Sequence, residues 1–491
     1  MINFKNHIKK NIFYIIRDSA KYLKIKCFVI GGYVRNFIIK NYYNIIIEEE
    51  KEDIDILVLG DELKIAKKVA EKIKFKKKII IYKNYKTILL SYKNKKIEFV
   101  SARKESYNYN SRNPIVKNGN FKDDQNRRDF TINSLSISLN ENNYGKLIDP
   151  FNGIEDIKKK IIRTPLDPNI TYSDDPLRMI RAIRFSSQFN FYIEKNSFFS
   201  IINNKNRISI VPIERIMEEF KKIILSKYPS IGIKLLFKSK LLYKFLPEVY
   251  NLSGIEEIHG KKHKDNFLHT LEVLENISKR TSSLWLRLAA LLHDIGKTVT
   301  KKYHHKYGWT FYSHEYIGSK MIPKIFKRLK LPLGEKMKYV KKIIKYSSRP
   351  ISLIKENITD SAIRRFLLEI GDNLEDLILL CKSDITTKNL EKQKKYSKNF
   401  DLVLEKIKKI KKKDKIRNWK SPISGYQIMD IFNITPCKKI GIIKSKIKEA
   451  IINGIIENEK KDILFFLEKI GNKLGLIINK SKYNNFFYEK K

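Results

Sequence analysis

Asp53-Ile54-Asp55-Ile56-Leu57-Val58-Leu59-Gly60 is a β-branched run that carries an acid at its first and third positions. On a strand, residues two apart point to the same face, so Asp53 and Asp55 stand side by side. Two adjacent carboxylates repel unless a cation lies between them. A half-buried D-x-D strand therefore predicts a hard divalent ion, Mg2+ being the obvious one. The pattern is short, and by itself it more often marks a solvated strand end. Glu98, in Lys96-Ile97-Glu98-Phe99-Val100, sits between apolar neighbours on a later strand and is a candidate third ligand or general base.

Outward from this run, KCFVI, KKIIIY, KTILLSY and KKIEFV read as further strands interleaved with helical stretches, from about residue 26 to 165. Val29-Ile30-Gly31-Gly32-Tyr33-Val34-Arg35 reads as a strand, a glycine pair and a helix start. Gly31 and Gly32 would let backbone N–H groups approach an anion at the helix N-terminus, and Arg35, one turn in, could grip the same anion. A plain tight turn is the alternative. Beyond about 165 the apolar periodicity becomes helical, as in RMIRAIRFSSQF and LRLAALLHDI. The chain thus reads as an α+β head, residues 1–165, followed by helical modules at 166–250, 251–390 and 391–491.

Composition narrows the class of ligand. The 491 residues hold 101 Lys+Arg against 53 Asp+Glu, a formal charge of +48 that attracts polyanions, nucleic acid above all. Lys, Ile, Asn, Tyr and Phe are all abundant, as AT-rich coding produces without selection on charge, so the field alone does not decide function. The final 101 residues are basic too, with a Lys-rich segment at 405–420 that reads as a joint between modules. No stretch is apolar enough for a membrane span, and no obligate protein partner is indicated. Cys27, Cys381 and Cys437 lack paired spacing, and the basic N-terminus has no apolar core or cleavage site. The expected compartment is a reducing cytoplasm.

Two sharper motifs follow in order. Arg127-Arg128-Asp129-Phe130-Thr131-Ile132-Asn133 precedes Leu147-Ile148-Asp149-Pro150-Phe151-Asn152-Gly153, and then comes Asp174-Asp175-Pro176-Leu177-Arg178-Met179-Ile180-Arg181. With the glycine pair and D-x-D, this string resembles the class II CCA-adding tRNA nucleotidyltransferases and bacterial poly(A) polymerases, within the polymerase-beta-like superfamily. The resemblance implies a nucleotidyltransferase head, a neck, and a tRNA-binding body and tail. It implies that Gly31, Gly32, Arg35, Arg128, Asp129, Asn133 and Arg181 bind nucleotide, and that Asp53 and Asp55 hold Mg2+ while a primer 3′-OH attacks the α-phosphate.

Asp175 and Arg178 also have a reading of their own. At i and i+3 of one helix they would share a face. A carboxylate accepts from an exocyclic amino group and a guanidinium donates to a ring nitrogen or carbonyl, so the pair would admit CTP and ATP and reject UTP and GTP. Two departures from the family stand nearby. Asn36 replaces the usual Asp after Arg35, and residues 37–52 read as a long loop without its turn glycine.

A second constellation comprises His269, His293-Asp294, His314 and Asp384, a mixed N/O ligand set for a divalent metal that resembles the HD phosphohydrolase domain. Ser347 stands where related sequences carry a His, which favours one metal over two. Residues 421–478 resemble the family's tRNA-binding tail, with Lys438, Lys439, Lys444 and Lys446 as phosphate contacts and Cys437 where glycine is usual. The expected function is CCA addition to the tRNA 3′ end from CTP and ATP. The alternatives are poly(A) synthesis by the same head, or metal-dependent hydrolysis at the HD site.

Overall fold

A computed structural model describes residues 4, 11–43, 53–75, 79–82, 86–92, 95–258, 261–262, 265–352, 359–387, 389–413 and 423–488. The head contains α1 (Asn11–Leu23), β1 (Lys26–Ile30), α2 (Gly32–Tyr42), β2 (Ile54–Leu59), α3 (Glu62–Lys72), β3 (Ile80–Tyr82), β4 (Thr87–Tyr92) and β5 (Lys95–Ser101). A hairpin of β6 (Arg103–Ser106) and β7 (Ile115–Asn118) follows, then α4 (Phe121–Asn126), β8 (Ser136–Ser138), β9 (Leu147–Ile148) and α5 (Gly153–Lys159).

Seven strands form one mixed sheet in the order β3-β4-β5-β2-β1-β8-β9. All neighbours are antiparallel except β2 and β5, which run parallel. The single parallel pairing matters most, because its register sets Asp55 opposite Glu98. On the other side of β2, Ile30 pairs with Asp55, so β1 delivers its glycine turn to the same end of the sheet. Alternation along β2 and β5 buries Ile54, Ile56, Ile97 and Phe99 and leaves Asp55 and Glu98 half-buried on the opposite face. The helices α1 and α3 cover one side, the latter capped by Asp61, whose carboxylate accepts from the Leu63 and Lys64 amides.

The five expected strands all form, and the hairpin β6–β7 and the short strands β8 and β9 are additions. Residues 37–42, read from sequence as loop, continue α2 instead, because Phe37, Ile38 and Ile39 supply an apolar face; Ile38 and Ile39 are fully buried. The rest of that stretch, 44–52, lies outside the described residues.

Helices dominate after the head. Pro168–Asp174 forms α6 and Leu177–Phe189 forms α7, and further helices include Ile213–Leu225, Asn266–Ser278, Leu284–Leu292, His314–Arg328 and Leu374–Asp384. The departures are short strand pairs, among them Lys302–His304 with Gly308–Thr310. Residues 405–413 belong to the helix Leu390–Lys413 and are not a linker, whereas 414–420 lie outside the described residues. One continuous apolar core extends from the head to Ile410, and residues 423–478 build a second core of their own around Ile428, Ile447 and Leu464.

Candidate active site

The site grows from the turn between β1 and α2. Gly31 takes φ +71°, and a Cβ there would lie 3.2 Å from Asp55 Oδ2 and 3.5 Å from Arg128 Nη1. The backbone can come this close to a carboxylate and a guanidinium only because glycine has no side chain. Gly31 also occupies the N-cap of α2 without any side-chain cap, leaving the first amides of an eleven-residue helix at the same spot.

Three carboxylates crowd this end of the sheet. Asp53, expected from sequence as the first residue of the strand, lies one residue before β2, and Asp55 lies within it. Burial, then the charges of Glu98 and Asp53, push Asp55 up to about 6 against the opposing pull of Arg128. Burial and Asp53 also raise Glu98. Such crowding of anionic oxygens is unfavourable until a cation joins them, and a set of hard oxygen donors fits a divalent ion of the Mg2+ or Mn2+ type.

Arg128 is held from behind by Asp124, whose Oδ2 accepts from Nε at 3.2 Å and Nη2 at 2.8 Å. The same carboxylate binds Arg127, and it is fully buried. The two arginines hold Asp124 below the usual carboxylate range although burial alone would raise it. The sequence reading did not single out Asp124; its spacing of three and four from Arg127 and Arg128 was the available signal.

Arg35 is buried, 4% exposed, and its Nη2 lies 3.5 Å from where a Cβ on Gly32 would stand. It donates to Asn133 Oδ1 at 2.6 Å and to Asn36 Oδ1, and its guanidinium lies 4.7 Å from the Phe185 ring and 5.0 Å from Phe189. Asn36 thus accepts from Arg35 through a neutral amide carbonyl. Asn133 donates in turn to Asp129, which also takes a two-pronged contact from Arg181 at 2.6 and 2.9 Å. Burial opposes the charge of Asp129, but Arg181 and the Asn133 amide hold it far below its ordinary value. On the helix Ile213–Leu225, Glu219 pairs with Arg184 at 2.8 Å and stands 4.0 Å from Arg181.

The base-reading candidates are arranged differently from the sequence expectation. Asp175 is not on the helix with Arg178: it ends α6, and its Oδ1 accepts from the Leu177 amide at the start of α7. Pro176 separates the two helices. Both Asp175 oxygens accept from Arg112, in the β6–β7 loop, at 3.1 and 3.3 Å. Arg178 donates through Nη2 to the Arg127 carbonyl at 2.8 Å, while its Nε and Nη1 make no hydrogen bond to a described residue. Arg112 was not anticipated, since nothing local in a polar loop shows which carboxylate it will meet.

In the HD region, His269 Nε2 lies 2.8 Å from Asp384 Oδ1, and His293 Nε2 lies 3.5 Å from the same oxygen. Asp294 is 3.4–3.7 Å from the Nε2 atoms of His269, His293 and His314. Each ring meets an acceptor at Nδ1: Thr386 Oγ1, the Ala290 carbonyl and the Phe311 carbonyl respectively. Nδ1–H donation to a carbonyl leaves the Nε2 lone pair for a metal. Among the described residues, buried His293 Nε2 has no hydrogen-bond partner, the kind of atom a bound cation would satisfy. Burial disfavours the His293 cation, yet Asp294 and Asp384 outweigh it and raise the ring to about 9. Among the described residues His269, His293 and Asp384 form the cluster with converging ligand atoms. Ser347 is buried with its hydroxyl donated to the Ile344 carbonyl.

Lys438, Lys439, Lys444 and Lys446 are all exposed on or at the start of the helix Lys438–Ile452. Cys437 has φ −150°, extended backbone open to any residue, so the absent glycine imposes no strain there.

Residues 27–163 match the poly A polymerase head domain, 190–252 the probable RNA and SrmB-binding site of polymerase A, and 266–387 the HD domain. One chain thus carries matches to a poly A polymerase head, to its RNA-binding segment and to an HD domain, in that order. A multifunctional CCA protein of Mannheimia succiniciproducens is 30% identical over 276 residues, 52% of this chain and 62% of that protein. The matched stretches thus span 62% and 55% of the first two such relatives, the second from Shewanella frigidimarina. An A-adding tRNA nucleotidyltransferase of Deinococcus radiodurans is 28% identical over 67% of this chain and 75% of its own. The fold is that of solved CCA-adding enzymes. An apo form aligns with TM-score 0.62 at 21% identity over 95% of this chain and 97% of that one. The Thermotoga maritima CCA-adding enzyme complexed with tRNA aligns at 0.59 and 20% over 94% and 95%.

Proposed function

We propose that this protein is a template-independent RNA nucleotidyltransferase that adds C and A residues to the 3′ end of tRNA from CTP and ATP, releasing pyrophosphate. The observation that carries it is the meeting of Asp55, the Gly31 turn and Arg128 within 3.2 and 3.5 Å of one point. Carboxylates for metal, amides for phosphate and a guanidinium share a single end of the sheet. The names of relatives and of the structures that share its fold point the same way.

Magnesium held by Asp53 and Asp55 would supply charge neutralisation for the triphosphate and acidify the attacking hydroxyl. The chain's own residues do the rest. The α2 amides and Arg128 cradle phosphate oxygens, and Asp124 fixes the guanidinium in place. Glu98, opposite Asp55, is placed to accept a proton or complete the ligand set. Arg178 presents Nε and Nη1 to the pairing edge of the base, and Asp175 can turn from Arg112 to an exocyclic amino group. Arg35, Asn133, Asp129 and Arg181 link cradle and α7 behind the site, so they position the nucleotide more than touch it. The tail lysines supply phosphate contacts to the tRNA. A second reading applies to the HD cluster: its converging Nε2 atoms favour one divalent metal and phosphoester hydrolysis as a separate activity.

The test is a tRNA lacking its terminal residues, incubated with Mg2+ and each nucleotide singly and in mixtures. Three added residues that require both CTP and ATP are expected. Long A tracts would make the chain a poly(A) polymerase, and no incorporation would remove the polymerase reading.

A further inference from the structure

Between the phosphate cradle and the base-reading helix lies a buried carboxylate that none of the motifs contains. Glu105, on β6, is 4% exposed at its side chain. Its Oε1 meets Arg103 Nε at 2.8 Å and Arg127 Nη1 at 3.3 Å. Its Oε2 accepts from the Tyr107 hydroxyl at 2.7 Å and stands 4.0 Å from Arg178 Nη2. Arg178 Nη2 in turn donates to the carbonyl of Arg127, the same residue whose side chain Glu105 holds. The result is a closed arrangement: carboxylate, Arg127 and Arg178 each constrain the other two.

We infer that Glu105 is a positioning residue for base selection, fixing the plane of Arg178 through its charge and through Arg127. The inference rests on the nucleotide-adding reading above. A guanidinium is planar, and its donors match a base edge only at one tilt. The Arg127 carbonyl pins a single Nη2 proton, a contact about which the group can still rotate. The carboxylate beside the same nitrogen removes that freedom, and its burial makes the attraction strong. Nε and Nη1 make no hydrogen bond to a described residue and stay available to a nucleotide base. The connection continues to the other half of the site, because Arg127 and Arg128 share Asp124. Glu105 therefore acts on base choice, whereas Asp124 acts on the phosphate cradle.

The test is single-nucleotide incorporation by the full chain with CTP and UTP separately, giving kcat and KM for each, with inhibition by inorganic tripolyphosphate measured alongside. Glu105→Gln keeps the size and removes the charge. The CTP-over-UTP ratio of kcat/KM is expected to fall about tenfold, while the tripolyphosphate inhibition constant stays within about twofold. Tyr107→Phe, which removes one hydrogen bond to Oε2, is expected to lower the same ratio about threefold and serves if the first variant does not fold. A ratio unchanged in a folded variant, or equal losses for CTP and UTP, would overturn the inference. Failure of the parent chain to incorporate CTP would instead strike at the proposed function itself.

Discussion

Asp55 is held where a carboxylate is least comfortable, half-buried beside Asp53 and Glu98, and its elevated pKa records that cost. Replacing it by Asn removes a repulsive charge while keeping the shape. Asp55→Asn should therefore melt no lower than the parent without metal, yet lose incorporation by at least about a thousandfold. Thermal melting with and without Mg2+, beside a single-turnover assay, checks both halves. Asp124 is the opposite case, a buried carboxylate whose removal strands two arginines. Asp124→Ala should destabilise by about 3–5 kcal/mol, seen in the urea midpoint. The paired acids were legible because strand alternation is local: two residues apart is enough to place them together. Asp124, Glu105 and Arg112 were not, because each acts through a partner chosen by the tertiary fold. Asp175 shows the same boundary, since its identity could be read but not the break at Pro176 that takes it off the helix.

At the scale of elements, the β1–α2 turn and the seam between head and α7 govern the site. Gly31→Ala would force a side chain into a left-handed conformation and against the Asp55 carboxylate. We expect a stability loss of about 1–2 kcal/mol and a larger proportional loss of activity. A melting curve and kcat/KM distinguish the two, and an unaltered kcat/KM would show that the turn does not meet the nucleotide. The seam is stitched by Asp129 to Arg181. Because Asp129 and Asp124 titrate below their unfolded value of about 3.9, their stabilisation is present above about pH 4. It is lost as the pH falls through their folded values. Asp129→Asn should flatten that acid limb of the stability–pH curve, measured by urea unfolding between neutral pH and acid. An equal slope in the variant would contradict the assignment. The sheet was legible as a set of strands, and α7 as an apolar period. The β6–β7 hairpin was missed because its strands are mostly exposed and carry no alternating apolar signal.

Across the whole molecule, two metal-type sites stand on separate frameworks, the head sheet and the HD helices. His293→Ala should lower divalent-metal content while leaving nucleotide incorporation within about twofold; a parallel loss of incorporation would mean the two are coupled. The tail has its own core, and its exposed lysines lie outside the head. Removing the four at 438, 439, 444 and 446 should make tRNA affinity less salt-dependent, by roughly two to three in the log–log slope, without altering CTP affinity. The +48 charge announced a polyanion early, but composition bias blurred which lysines matter, and these four share their helix with a fifth exposed lysine, Lys448. The claim on which the rest stands is that Asp53 and Asp55 hold a divalent ion against a triphosphate seated at Gly31 and Gly32. It is tested most directly by a crystal grown with Mn2+ and a non-hydrolysable CTP analogue. An anomalous peak bound by both carboxylates is expected, with phosphate oxygens at the glycine turn. A nucleotide bound elsewhere, or the two acids turned apart with no metal between them, would contradict it.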